Sequence, residues 1–160
     1  MIPRLATYYD RDYCAAGAVH LLREREAKYP ALIAAGKLPA ETGALGQDRA
    51  RALVAQWCWA MDLHGPIYPP WDEGRGVHGF GAYEFELAEE MTAAAARGRA
   101  IADRDPTSWA KREIADLCDA LAWWQSRDPG TYSCRIVRET VAARRCAAAA
   151  TASERDRKAA

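Results

Sequence analysis

Apolar residues recur at helical spacing in five stretches of the chain, and no stretch keeps the alternation of a half-buried strand. The first covers residues 10–35. Asp10 or Asp12 can cap it, and Ala, Leu, Arg and Glu dominate up to Tyr29-Pro30, where the proline either kinks or stops the helix. GKLPAETGALG, residues 36–46, is a connector. A second helix runs from about Gln47 to Leu63, with Leu53, Val54, Trp57 and Met61 on one face, and His64-Gly65-Pro66 ends it. A third runs from about Tyr83 to Arg99 on the stripe Tyr83, Leu87, Met91 and Ala94. Asp103 to Pro106 turns the chain, and Thr107 or Ser108 caps a fourth helix, 108–126, striped by Ile114, Leu117, Leu121 and Trp124. Asp128-Pro129-Gly130 breaks it, and a fifth helix spans 132–146. The tail AAAATASERDRKAA has little to bury and reads as frayed or disordered. The expected fold is all-α, with about five helices. It divides into an N-terminal helical extension (1–46), a helical core (47–146) and a tail (147–160).

One segment breaks the pattern. GPIYPPWDEGRGVHGFG, residues 65–81, holds five Gly, three Pro and several aromatics, a mixture that makes no regular element. Loops this long in compact domains are often functional. The alternative is a structural wrap in which Trp71 and Phe80 plug the core.

Composition narrows the class. The 160 residues are one domain's worth, and half are hydrophobic, enough for a core. Lys plus Arg and Asp plus Glu are both 22, so there is no basic excess to suggest nucleic-acid binding. The N-terminus has no apolar signal core, and no apolar run is long enough to span a bilayer. The five cysteines form no Cys-x-x-Cys pair, and reduced thiols are the simplest account. Cys14 and Cys58 each precede a histidine by six residues, His20 and His64, a helical spacing that separates the side chains and argues against zinc. The expected location is the cytoplasm, bacterial or, for a phage-encoded chain, that of the infected host.

The acids on two helices are less ordinary. In KREIADLCDALAWW, residues 111–124, Glu113 projects roughly 40° from Leu117 and 20° from Trp124. Asp116 lies one turn on, along the same border of the apolar stripe. The third helix, YEFELAEEMTAAAARGR, carries Glu86, Glu89 and Glu90 along one flank. Helices joined by a short turn usually pack antiparallel, which would bring the acidic edges into one cluster. Clustered carboxylates raise one another's pKa, and a divalent cation relieves the repulsion. Hard oxygen donors select Mg²⁺ or Mn²⁺, and magnesium keeps positions for water and phosphate oxygens.

Glu86-Leu-Ala-Glu89, then 23 residues, then Glu113-Ile-Ala-Asp116 resembles the ExxE…ExxD signature of the MazG-like all-α NTP pyrophosphohydrolases. The resemblance covers about residues 47–127. It implies a helical bundle with an acidic metal site between two antiparallel helices. The implied activity is cleavage of a nucleoside triphosphate between its α- and β-phosphates, giving a monophosphate and pyrophosphate. Glu86, Glu89, Glu113 and Asp116 would be catalytic and, with Glu90 as a further ligand, would hold two or more Mg²⁺ or Mn²⁺ ions. Members of the family assemble as homodimers or homotetramers. The overall character is similar to the phage MazZ-type branch, which acts on dGTP or GTP. Two departures stand out. Tyr83 and Ala93 occupy positions where the family often has a further acid, and residues 1–46 exceed the minimal core.

A triphosphate needs positive charge, and Arg97, Lys111, Arg112, Arg135 and Arg138 are candidates to grip phosphate. Trp71, His78 and Phe80 in the loop, with Trp57 or Trp59 on the second helix, are candidates to stack a base. No side-chain nucleophile is assigned; Cys118 points toward the apolar side, and a metal-bound water with a glutamate base is the simpler chemistry. The competing class is a non-enzymatic helical interaction or regulatory protein that uses the aromatic loop as its binding face.

Overall fold

The computed structural model describes residues 11–62, 64–127 and 133–159, with side chains described over 14–62, 64–127 and 138–158. Five helices occupy most of this chain: α1 (Arg11–Ala34), α2 (Ala40–Met61), α3 (Glu84–Arg104), α4 (Trp109–Ser126) and α5 (Ser133–Ala159). α3 and α4 form the most intimate pair. α1 lies on α2 and α4, and α5 packs on α2 and α4. One apolar cluster joins Cys14 and Ala18 of α1, Leu53 and Trp57 of α2, Met91 of α3 and Leu121 of α4. The N-terminal helix therefore helps to build the core. No helix among the described residues is long and apolar enough to cross a membrane.

The helix stripes are as expected apart from Tyr83, which precedes its helix and is exposed; α2, α3 and α5 run beyond their expected bounds, α3 by five residues past Arg99 to Arg104. α1 fills its expected range and passes through Pro30 without stopping. α2 starts at Ala40, seven residues early, because its two glycines serve close packing rather than a turn. A Cβ on Gly43 would lie 2.9 Å from Ile33 Cδ1, and one on Gly46 would lie 3.2 Å from the Tyr29 ring. α5 continues through the expected frayed tail to Ala159. Its run of alanines has the best intrinsic helix propensity, and Lys158 pairs with Glu154 one turn back at 2.8 Å.

Residues 65–81 also contain regular structure. β1 (Trp71–Asp72) and β2 (Val77–His78) pair antiparallel, Trp71 with His78 and Asp72 with Val77. The turn between them ends at Gly76, whose φ of 65° suits glycine. Behind the hairpin, Phe80 packs on buried Trp59 with ring centroids 5.8 Å apart.

The α3–α4 hairpin turns at residues 105–108. Ser108 caps α4 by accepting from the Lys111 backbone N–H at 3.4 Å. The helices touch backbone to backbone at Gly98, where an added Cβ would lie 3.4 Å from Ala115 Cα. Gly98→Leu would push a four-carbon side chain into the Ala115 backbone. It should lower the free energy of unfolding by about 1–3 kcal/mol. Exposed Ala96→Leu, two residues away, should change it by under about 0.5 kcal/mol. Urea unfolding of both variants measures the difference.

Candidate functional site

The first acidic motif meets arginines. Glu86 and Glu90 lie one turn apart on α3, both half-buried, and the guanidinium of Arg49 from α2 spans them at 3.5 Å each. Arg25, only 5 % exposed, reaches Glu90 from α1 at 2.5 Å and also donates to the Gly46 carbonyl. Arg97, two turns along α3, stands 3.7 Å from Glu90. Glu86 also closes the first turn of α3, where its Oε2 accepts the Tyr83 backbone N–H at 2.8 Å. Glu89 faces solvent.

The second motif is elsewhere. With Gly98 against Ala115, Glu89 lies nine residues back along α3, while Glu113 lies two residues nearer the turn on α4. At 1.5 Å of rise per residue these acids are roughly 16 Å apart along the hairpin, and Glu89 and Asp116 roughly 12 Å. Glu113 is half-buried on α4. Asp116 accepts from Arg99 at 2.8 Å, and the same guanidinium also binds Asp119. These two carboxylates raise the pKa of Arg99 further above its already high value. The expected four-carboxylate centre between α3 and α4 therefore does not form within one chain. Among the described residues, no three His, Cys, Asp or Glu side chains are arranged to hold a metal ion.

The expected phosphate and base contacts divide similarly. Arg97 is at the acidic cluster. Lys111 is committed to Asp105 in the hairpin turn at 2.8 Å and holds that carboxyl below its usual range. Arg112 is exposed on α4. Arg135 lies outside the residues whose side chains are described. Arg138 cannot serve phosphate as placed. It is buried over the Trp59 ring and donates to the carbonyls of Trp59, Asp62 and Gly65, so it caps the end of α2. Trp57 cannot stack a base, because it is fully buried edge-on to Trp124 at 6.2 Å. Trp71 is 56 % exposed, and His78 packs against its ring at 5.2 Å with Nδ1 2.7 Å from the Pro69 carbonyl. Phe80 is half-buried. Burial pushes the Cys118 thiol up to about 11, which leaves it a poor nucleophile. Cys14 is buried as well, whereas Cys58 and Cys146 are exposed.

Sequence reasoning missed Arg25, Arg49 and Glu84. Two of the three carried a signal. Arg25 continues the stripe Cys14, Ala18, Leu21 at helical spacing, so its side chain had to enter the core. Glu84 does the same ahead of Leu87 and Met91; Tyr83, expected in that role, is 40 % exposed and precedes the helix. Glu84 Oε1 accepts from Gln56 Nε2 at 2.5 Å, and Gln56 Oε1 accepts from Gln125 Nε2 at 2.7 Å. Glu84 Oε2 is buried without a partner. Desolvation raises the Glu84 carboxyl from 4.5 to about 7, partly offset by the Gln56 hydrogen bond.

Comparison with protein-family models, with curated proteins and with solved structures gave no match, so the site is read from its own geometry.

The buried Glu84 makes stability depend on pH. The folded state keeps the proton that the unfolded state releases, so stability is fullest below pH 4.5 with respect to this group. It falls as pH rises from 4.5 towards about 7. Glu84→Gln should remove that component and be more stable than the parent at pH 8. Denaturant unfolding of both proteins at pH 5 and pH 8 checks the sign. A variant equally weakened at both values would mean the carboxyl is needed for shape alone.

Proposed function

We propose that the chain is a nucleoside triphosphate pyrophosphohydrolase that cleaves a ribo- or deoxynucleoside triphosphate between the α- and β-phosphates, with dGTP and GTP as leading substrates. The observation that supports this is the Glu86–Glu90 pair with Arg49 across it and Arg25 and Arg97 beside it, drawn from three helices. The pair fits a smaller metal site than the four-acid centre. Magnesium needs only one or two carboxylates beside substrate phosphates, and the Arg49 guanidinium already occupies the place of a cation between the two acids. Glu86 and Glu90 would hold Mg²⁺ or Mn²⁺, which would neutralise phosphate charge when bound.

The chain's own residues supply the rest. The two Arg49 pairs are long, at 3.5 Å, so this guanidinium can transfer from carboxylate to phosphate at small cost. That frees a carboxylate oxygen to take a proton from the attacking water. Water adds to phosphorus, the bridging P–O bond breaks, and pyrophosphate leaves with the bond's electron pair. Arg97, 3.7 Å from Glu90, would balance the charge of the departing group. A homodimer or homotetramer is part of the same reading, and light scattering measures it.

A second reading has its own observation. Ile67, Tyr68 and Trp71 are 79, 62 and 56 % exposed around the hairpin, an apolar face suited to a non-enzymatic interaction protein. Such a protein would be indifferent to Mg²⁺, Mn²⁺ and nucleotide.

A panel of the eight common ribo- and deoxynucleoside triphosphates, with Mg²⁺ and with Mn²⁺, separates the two readings. The expected products are monophosphate and pyrophosphate. Glu86→Gln keeps an oxygen for the helix cap, yet it and Glu90→Gln should each lower kcat at least a hundredfold. Glu113→Gln, roughly 15 Å from Glu90 and 21 Å from Glu86 by helix rise, should keep most of the activity. Diphosphate with free phosphate, or no turnover, would sink the proposal. Equal damage from Glu113→Gln would show that the second motif shares the site.

A further inference from the structure

A cavity of about 460 Å³ opens between α2 and the segment leading from the hairpin into α3. Three arginines line it: Arg49 and Arg51 from α2, and Arg75 from the turn of the hairpin. Asp48 and Glu86 are its carboxylates, and Phe80 and short apolar side chains complete the wall. The volume lies in the range of small-molecule sites.

The arginines are incompletely satisfied. Arg51 pairs with Asp48 at 2.9 Å and with Glu26 only at 3.9 Å. Arg75 pairs with Asp72 at 3.1 Å and stands 5.4 Å over the Tyr83 ring. Arg49 has its two contacts at 3.5 Å. The Nε–H groups of both Arg49 and Arg75 are buried with no acceptor. Buried donors are nearly always paired, and an orphan costs about 1–3 kcal/mol. Two orphans of one type, on two elements that line one cavity, share a remedy. An acceptor with several anionic oxygens can engage Nε and Nη together, after a small rotation of each side chain.

We propose that this cavity binds a phosphate ester of nucleotide size, its phosphates on Arg49, Arg51 and Arg75 and its flat organic part against Phe80. A carboxylate ligand would meet Asp48 and Glu86 with less charge to offset them; a polyphosphate carries enough to draw the three guanidiniums together. The inference concerns binding and survives a failure of hydrolysis. Arg51 and Arg75 belong to neither acidic motif.

Calorimetric titration in EDTA tests it without turnover. The probes are ATP and GTP, inorganic triphosphate, and the free nucleosides adenosine and guanosine. At least one nucleoside triphosphate should bind more tightly than inorganic triphosphate, and neither nucleoside should bind. Arg75→Ala should weaken binding roughly tenfold or more, and Arg75→Lys should weaken it too, because lysine lacks the fork. Arg51→Ala should act in the same direction, while exposed Arg144→Ala on α5 should leave affinity unchanged. No binding by the parent protein would overturn the proposal. So would unchanged affinity in both Arg75→Ala and Arg51→Ala, or a nucleoside that binds as well as its triphosphate. Equal affinity for inorganic triphosphate would overturn the role given to Phe80.

Discussion

Gly98 of α3 lies against the backbone of Ala115 on α4 with no side chain between them. Interhelical distance depends on the side chains at the contact, and here there is almost none. A contact this close admits one register, because sliding either helix by a residue brings a Cβ or a longer side chain into the gap. The consequences reach both helices of the hairpin. Glu84, Glu86 and Glu90 are carried to α1 and α2, where arginines and Gln56 await them. Asp116 and Asp119, midway along α4, pair instead with Arg99. The spacing of the two acidic motifs matters less than where the chain turns between them.

That arithmetic was available from the sequence. The motifs are symmetric about residue 101, whereas the turn expected at 103–106 and found at 105–108 is not centred there. Each residue of offset moves the opposed positions apart by two, so the expected turn already displaces the two motifs by seven residues along the hairpin, and the observed turn displaces them by eleven. The helices themselves were legible because each carries a long stripe at period 3.6. The start of α2 was not, since Gly43 and Gly46 read as turn residues; their packing against Ile33 and Tyr29 depends on α1, which local sequence does not reveal. The short β1–β2 ladder was hidden for another reason: two-residue strands are too brief to show alternation.

Charged residues at stripe positions were the most informative signal and the easiest to pass over. Arg25 and Glu84 each stand where helical spacing demands an apolar residue, and each is buried with a specific partner. Their costs differ. Arg25 has a carbonyl and a carboxylate, so its charge is matched. Glu84 has one neutral amide donor and an unpartnered oxygen, so its ionised form is the unfavourable one. The Gln125–Gln56–Glu84 chain thus ties α4, α2 and α3 through a network left open at both ends, since Gln125 Oε1 is buried without a partner as well.

The buried and half-buried arginines can be ordered by how fully their donors are used, and that order separates structural from functional roles. Arg138 has three carbonyls and the face of Trp59. Moving it would uncap α2, so it belongs to the scaffold. Arg25 is next, with one carbonyl and one close carboxylate. Arg49 and Arg75 come last: long or single ion pairs, and an Nε–H that reaches nothing. A guanidinium held in place by its neighbours yet short of acceptors binds an added anion with little reorganisation, because its ordering has already been met by folding. By this measure the capacity for an anionic ligand concentrates between α2 and the hairpin, at the edge of the first acidic motif.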